Sequence, residues 1–290
     1  MIEFLKRLYR WLKTFQGMVL TKDKIRYTHC IENGMRKYDM MIANSEDYFK
    51  ERYMVILNDI LITYYEKNKS LKIFDAGCGQ GRLAIELAAM GHRVDAMDFM
   101  EESLAKAQKY EKERNIKNSS VNWINGKMPD SLNNFSKYSY DLVLCTEVLF
   151  MFPFKKNIFH LLSDLVAPKG ILFISVRPRL YYLRHSMINN NFLKLEICAN
   201  NNDFTKVGEG LSWFDPADIE KLYYENGFKD IKKWSIGMLS GIDGDPTAFF
   251  SKPCNLNKKQ RSLLGEIEDK HSSVYPSSGR YIVYSGLKSR

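Results

Sequence analysis

Three glycines spaced by two, Gly77, Gly79 and Gly81, follow Asp75 in the segment Phe74-Asp75-Ala76-Gly77-Cys78-Gly79-Gln80-Gly81. Such a run suits a turn that brings main-chain N–H groups against a ligand, because glycine tolerates positive φ and close approach. Asp75 lies at the same turn, and its carboxylate favours a cationic ligand, such as an aminoacyl sulfonium, over an anionic one. About 20 residues further on stands Asp98, placed to accept the two hydroxyls of a ribose, or simply to cap the helix that follows it. A dinucleotide enzyme uses a related turn, G-x-G-x-x-G, with its pyrophosphate on the helix N-terminus. Here the third glycine comes one residue early, and Asp75 would repel a pyrophosphate.

A turn of this kind works only between a strand that enters it and a helix that leaves it. From Leu71 onward, apolar strand-like runs alternate with helical segments, the pattern of a parallel sheet with crossover helices. Strands are predicted over 71–75, 93–98, 121–125, 140–146, 171–176, 228–236 and 280–287. Helices are predicted over 82–90, 101–114 and 155–166, and from Asp215-Pro216 to Asn226-Gly227, where Asp215 caps and Pro216 takes the first position. Residues 22–69 also read as helical, so 1–69 form a helical N-terminal cap and 70–290 the α/β domain. Two stretches, 177–214 and 237–279, fall outside the alternation; a helix is predicted near Lys258–Lys270, and together they read as a substrate lid.

The composition narrows the class. At 290 residues with 45% hydrophobic content, the chain can bury a large core, and no apolar run approaches the ~20 residues of a membrane span. The net charge of +9 is spread over the sequence without a run of five basic residues, which favours a solvated surface over a nucleic-acid site. The five cysteines, Cys30, Cys78, Cys145, Cys198 and Cys254, are odd in number and widely separated. That argues against a disulfide framework or a zinc pair and fits a cytoplasmic protein; no metal site is expected. Residues 1–20 carry Ile2, Leu5, Leu8, Leu12 and Phe15 at helical spacing with Lys6, Arg7, Arg10 and Lys13 between them. This amphipathic basic helix either packs on its own domain or makes peripheral contact with a membrane surface.

The motif D-A-G-C-G-Q-G followed by V-D-A-M-D-F resembles the glycine turn and ribose acid of class I S-adenosylmethionine-dependent methyltransferases. Y-D-L-V-L-C-T-E-V-L-F resembles their fourth motif, and A-P-K-G-I-L-F-I-S their fifth strand, all in the family's order between Leu71 and Val176. W-F-D-P-A-D-I-E-K-L-Y-Y-E-N-G-F is similar to the small-molecule branch that includes ubiquinone-biosynthesis O-methyltransferase-like enzymes. The resemblance implies a doubly wound, Rossmann-like α/β fold with a seven-stranded, mostly parallel sheet, its last strand antiparallel, a helical N-terminal cap and two insertions. It implies that Gly77, Cys78, Gly79 and Gly81 form the turn under S-adenosyl-L-methionine, which leaves as S-adenosyl-L-homocysteine. It further implies that Asp75 lies near the methionine ammonium, that Asp98 holds the ribose and that Phe99 packs on the adenine. Lys127 and Met128 should then run past the adenine edge, and Cys145 and Thr146 should border the methionine moiety. The pattern departs from the family at Lys127, where an acid or hydroxyl is common, and at Phe150, where a histidine often stands.

The reaction this implies is methyl transfer to a small-molecule acceptor, at oxygen, by in-line displacement. Positioning of the two reactants supplies most of such catalysis, about 7–11 kcal/mol. A hydroxyl acceptor can also need a base, and the candidates are His29, Glu147, Tyr181 and His185, none tied to the turn by spacing. Phe150, Arg177, Tyr181 and Trp213 are candidates for acceptor contact from their position after the fourth and fifth strands, with Arg177, Arg179 and Arg184 able to hold an anionic group. Two other functions use the same fold: methylation of RNA or protein, supported only by net charge, and a noncatalytic donor-binding partner module.

Overall fold

The computed structural model describes residues 46–116, 121–152, 155–201 and 212–289. The predicted helix of residues 1–20, the 22–45 part of the helical cap expected over 1–69, and His29 lie outside these segments. Seven strands form one sheet: β1 (Lys72–Ala76), β2 (Arg93–Asp98), β3 (Val121–Asn125), β4 (Tyr140–Cys145), β5 (Val166–Val176), β6 (Phe228–Ile236) and β7 (Tyr281–Lys288). Their spatial order is β3-β2-β1-β4-β5-β7-β6. The pairings from β3 to β5 are parallel, while β7 runs antiparallel to both β5 and β6. The chain order reverses direction across the sheet between β1 and β4, the place where doubly wound sheets open a ligand crevice at their carboxyl ends.

The central strands are apolar on both faces because helices cover both. Ile73, Leu142, Leu144, Phe173 and Val283 point into one core, and Phe74, Val143, Cys145, Leu172, Ile174 and Ile282 into the other. The first core is closed by α1 (Glu46–Tyr64) and α2 (Ala84–Ala89), with Leu104 of α3 (Glu101–Glu113). In α1, Tyr48, Phe49, Tyr53, Ile56, Leu57, Ile60 and Leu61 recur at three- and four-residue steps, which makes one continuous buried stripe. The second core is closed by α4 (Lys155–Leu165), through Ile158, Phe159, Leu162 and Leu165, together with Ile219, Leu222 and Tyr223.

Two departures from the sequence expectation have local causes. The helix expected over 82–90 is only six residues long, because the glycine turn extends through Leu83. The fifth strand starts at Val166, five residues earlier than expected. Val166 pairs with Tyr140, the register then breaks, and pairing resumes at Leu142 with Ile171. Pro168-Lys169-Gly170 is a bulged corner within the strand: Lys169 has φ +62°, and a Cβ at Gly170 would lie 2.9 Å from three carbonyl oxygens.

The described part of 177–214 folds as α5 (Arg179–Ile188) and α6 (Phe192–Asn200), with Tyr181, Tyr182, Cys198 and Trp213 as a small core of their own. Next comes α7 (Pro216–Glu225), with Pro216 at its start as expected. The 237–279 stretch carries a short 3-10 turn over Pro246–Phe249 and then α8 (Lys258–Ser272), which opens with a reciprocal Asn257–Gln260 capping box. α8 lies against α1, where Tyr48 donates to Glu268 at 2.7 Å and Arg52 pairs with Asp269 at 3.0 Å. Among the described residues no helix is long and apolar enough to cross a membrane.

Candidate functional site

The glycine turn hangs from the carboxyl end of β1 and is tied to β2 by hydrogen bonds from the Gly77 and Cys78 N–H groups to the Met97 carbonyl, at 2.8 and 3.0 Å. Gly77, Gly79 and Gly81 have φ of +78°, +55° and +79°, a region costly for other residues. Their surroundings differ. A Cβ at Gly77 would come within 2.6 Å of Val148, and one at Gly81 within 2.5 Å of Trp123, so both are packing positions as well. A Cβ at Gly79 would meet no atom within 4 Å, so the main chain there borders open space.

Asp98 ends β2 under this turn. One carboxylate oxygen accepts from the Gly79 N–H and the other from Met100 N–H, both at 2.9 Å. Burial pushes its carboxyl up, and these main-chain donors pull it back. Asp98 therefore holds the main chain at Met100, the residue before α3, without capping the helix itself, and it also reaches the ligand-side main chain at Gly79. Asp75, at the end of β1, is buried with one carboxylate oxygen, Oδ1, lacking any hydrogen-bond partner. Burial raises its carboxyl to about 7; the nearby Arg82 works against this and Asp98 adds to it. A buried carboxylate with a free lone pair is costly unless a donor or cation meets it. The residues at this turn thus fit a ligand that brings a positive group to Asp75 and hydroxyls to Asp98.

The remaining donor-side candidates stand at or just after the carboxyl ends of the neighbouring strands β1 to β4. Cys78 is buried in the turn and Phe99 is half-buried just after Asp98. The Gly126 N–H donates to the Asp98 carbonyl at 3.0 Å, which holds Lys127 and Met128 beside it; Met128 is buried and Lys127 exposed. Cys145 and Thr146 are buried at the end of β4, next to β1, and burial raises the Cys145 thiol well above its ordinary range.

The acceptor-side candidates divide. Glu147 follows β4 with φ +62°, its N–H donating to Ser175 Oγ at 2.7 Å and its carboxylate paired with Arg82 at 2.7 Å. Burial opposes its charge, yet Arg82, Arg280 and Arg177 together hold the carboxyl down to about 2. Phe150, Arg177 and Tyr181 converge beyond β4 and β5: the Arg177 guanidinium lies 4.7 Å from the Phe150 ring and 4.3 Å from that of Tyr181. Tyr181 donates to Asp245 at 2.7 Å, and burial raises its hydroxyl far above the usual range. His185 stacks on the outer side of this group, 6.2 Å from the Tyr181 ring. Trp213 is fully enclosed against Tyr182 at 5.4 Å, in the core of the insertion. Arg179 is engaged by Asp215 at 2.6 Å, and Arg184 by the Ser278 carbonyl at 2.7 Å.

Several residues at the site escaped the sequence reading. Arg82 pairs with Glu46 of α1 at 2.6 Å as well as with Glu147, and its guanidinium lies 5.2 Å from the Tyr53 ring. Its position immediately after Gly81 was a usable signal, because a charge at the mouth of a buried turn needs partners. Arg280 and Asp245 form a buried pair at 2.6 Å, and Tyr281 accepts from Arg177 at 3.1 Å. Their positions in an irregular segment and at a strand start carried no pattern that could have singled them out.

Residues 67–228 match the family described as "Methyltransferase domain". The ubiquinone biosynthesis O-methyltransferase of Rickettsia canadensis (strain McKiel) is 30% identical over 175 residues, 58% of this chain and 67% of that protein. The one from Rickettsia akari (strain Hartford) is 29% identical over 200 residues, 67% of this chain and 71% of that protein. Among solved structures, the magnesium protoporphyrin IX methyltransferase from Synechocystis PCC 6803 with bound SAH has a TM-score of 0.54 at 16% identity, covering 92% of this chain and 94% of that one. The chain belongs to the methyltransferase domain family, as an S-adenosylmethionine-dependent enzyme with the class I fold.

Proposed function

We propose that the protein methylates a hydroxyl group of a small molecule in the cytoplasm, using the turn at Asp75–Gly81 to hold the donor. The observation that carries this reading is the buried, unpartnered Oδ1 of Asp75 beside the open main chain of Gly79. When bound, S-adenosylmethionine supplies a methyl group on a positively charged sulfur, with a neutral thioether as the leaving group. Asp75 would neutralise the donor ammonium, Asp98 would accept its ribose hydroxyls, and the Phe99 and Gly126-Lys127-Met128 segments would flank its adenine. Cys145 and Thr146 would line the methionine chain between β1 and β4.

The acceptor would then lie over the carboxyl ends of β4 and β5, under a lid built from both insertions. Two contacts support such a lid: Tyr181 to Asp245 and Arg184 to the Ser278 carbonyl join the first insertion to the 237–280 segment, which the Arg280–Asp245 pair ties to itself. An enclosed site suits a small acceptor, and the oxygen assignment is supported by the named activity of the Rickettsia relatives. Glu147, held near 2, is a weak proton acceptor and would serve to fix Arg82 and the strand end instead of acting as a base. Catalysis would rest on alignment of nucleophile, methyl carbon and sulfur. The cytoplasmic assignment is supported by free thiols at Cys78, Cys145, Cys198 and Cys254.

Calorimetry with S-adenosylhomocysteine, followed by transfer of labelled methyl from S-adenosylmethionine into a metabolite extract, tests this reading. Saturable binding and label in an alkali-stable small-molecule ether are expected. Absence of binding at millimolar ligand would refute the donor site, and label found only in protein or RNA would refute the acceptor class.

A further inference from the structure

The connection from β3 to β4 crosses the sheet without a full helix. Between Asn125 and Tyr140 it makes only the 3-10 turn Asp130–Asn134, of which Leu132 alone is buried. A crossover this slight leaves part of the sheet bare, on the face where Phe74 and Met97 enter the second core. Further toward the amino ends of β1 and β2, the same face carries Lys72, Arg93 and Asp95, because alternate residues of a strand share a face. Together with Asn122 of β3, and bordered by Val94 and Val121, they line a cleft of about 430 Å³.

The charges in this cleft are unevenly matched. Lys72 and Arg93 are in-register neighbours on adjacent parallel strands, whose axes lie about 4.8 Å apart. Among the described residues, neither cation has a carboxylate within ion-pair distance; the Lys72 ammonium lies 4.3 Å from the Tyr140 ring, and Arg93 is exposed. The nearby acids are engaged elsewhere. Asp95 accepts from Asn122 Nδ2 at 2.9 Å and from the Tyr140 hydroxyl at 2.7 Å. Asp141 accepts from the Lys72 N–H at 2.9 Å and pairs with Lys69 at 3.3 Å. Like charges side by side on a sheet repel, and the cleft has room for a small molecule that would neutralise them.

We infer that this cleft binds a small phosphate monoester that also carries hydroxyl groups. A phosphate monoester brings close to two negative charges and three acceptor oxygens. That answers two cations on neighbouring strands, where a single carboxylate would leave one of them unmatched. The cleft is larger than a bare phosphate, and Asp95 keeps lone pairs for ligand hydroxyls: each of its oxygens accepts one hydrogen bond, whereas an ionised carboxylate accepts about four in all. The site is separate from the donor turn. Lys72 stands three residues before Asp75 on β1 and Arg93 five before Asp98 on β2, about 10 and 17 Å away along the strands.

The test uses the full chain, with and without S-adenosylhomocysteine, and three probes: ribose 5-phosphate, inorganic phosphate and ribose. Calorimetry should find ribose 5-phosphate bound about tenfold more tightly than inorganic phosphate, ribose weakest, and the same affinities in the donor-loaded protein. Arg93→Gln and Lys72→Gln should each weaken ribose 5-phosphate binding about tenfold and leave affinity for S-adenosylhomocysteine unchanged. Lys229→Gln, on the far edge strand β6, should change neither. Without ligand, R93Q should unfold at the same urea concentration as wild type or higher, since it removes a like charge. The inference is overturned by wild-type protein that binds ribose 5-phosphate no better than ribose, or no better than inorganic phosphate, results that need no variant. It is also overturned if S-adenosylhomocysteine displaces the ester, which puts the anion at the donor turn, or if K229Q weakens binding as much as R93Q, which assigns it to net charge. A lower urea midpoint in R93Q overturns it as well, because the arginine then supports the fold instead of a ligand.

Discussion

Asp75 couples ligand binding to pH through a single proton. Its carboxyl is raised to about 7 by burial, so near neutrality the donor-free protein holds that proton in part of the population. A cationic ligand group needs the ionised form. Affinity for S-adenosylhomocysteine is therefore expected to fall by about tenfold per pH unit below 7 and to level off above it. Asp75→Asn should bind weakly and without this dependence, as read by calorimetry between pH 5.5 and 8. The sign for stability is opposite. A raised folded-state value means that the folded chain holds the proton more tightly than the unfolded chain does. The stability this gives is full in acid and is lost as pH rises through 7, up to about 4 kcal/mol. D75N in the donor-free protein should accordingly unfold at higher urea than wild type at pH 8, with a difference smaller by more than half at pH 5, where the unfolded chain has only begun to gain from ionisation. Equal midpoints at pH 8 would mean that the carboxylate is already satisfied.

Arg82 illustrates a different cost at the same scale. It is nearly enclosed and joins two carboxylates, Glu46 at 2.6 Å and Glu147 at 2.7 Å. Removing one member of a buried ion pair leaves the other uncompensated, typically at 3–5 kcal/mol. Arg82→Gln should lower the unfolding free energy by about that amount, and adding Glu147→Gln should recover part of it. An additive double variant, with no recovery, would show that the two side chains act independently.

At the scale of elements, the glycine turn separates packing from ligand contact. Gly77→Ala meets positive φ and a Cβ contact of 2.6 Å with Val148, so it should destabilise the fold as well as the site, by about 1–3 kcal/mol. Gly79→Ala meets positive φ in open space, so its effect on folding should be near 1 kcal/mol, while the added methyl intrudes where the main chain would meet the donor. The expected pattern is loss of S-adenosylhomocysteine binding in both, with a marked loss of urea stability only in G77A. The same turn explains what could be read ahead of the structure. A strand, three spaced glycines and an acid at the next strand's end are local patterns with few physical solutions, so β1, β2 and the positions of Asp75 and Asp98 followed from sequence. The early start of β5 did not, because Pro168-Lys169-Gly170 reads as a terminator and only the pairing of Val166 with Tyr140 makes it a bulge. Phe150 was legible as a departure from a histidine position, and its partner Arg177 was a candidate only by position. The cluster they form with Tyr281 depends on a strand 104 residues away from Arg177.

Across the whole molecule, the first turns of the α1 helix are fastened both to the site and to the far insertion. Glu46 holds Arg82 beside the glycine turn, Tyr53 donates to Ser175 on β5, and Tyr48 donates to Glu268 of α8, 220 residues away in sequence. Contacts of such separation leave no periodic trace, so the helix over Glu46–Tyr64 was readable while its attachment to the turn was not. The attachment has a consequence for binding. A ligand that draws the Asp75–Gly81 turn into one arrangement also fixes Arg82, and through Glu46 it should restrain the first turns of α1. Hydrogen exchange with and without S-adenosylhomocysteine is expected to slow at amides of residues 49–57 as well as at the turn itself, because protection reports local opening. Glu46→Gln keeps the helix but breaks the ion pair, and should confine the slowing to the turn and to Asp98–Leu104. Equal slowing of α1 in wild type and E46Q would show that the helix responds through the core formed by Tyr53, Leu57 and Ile60 and that the Arg82 clip carries none of the coupling.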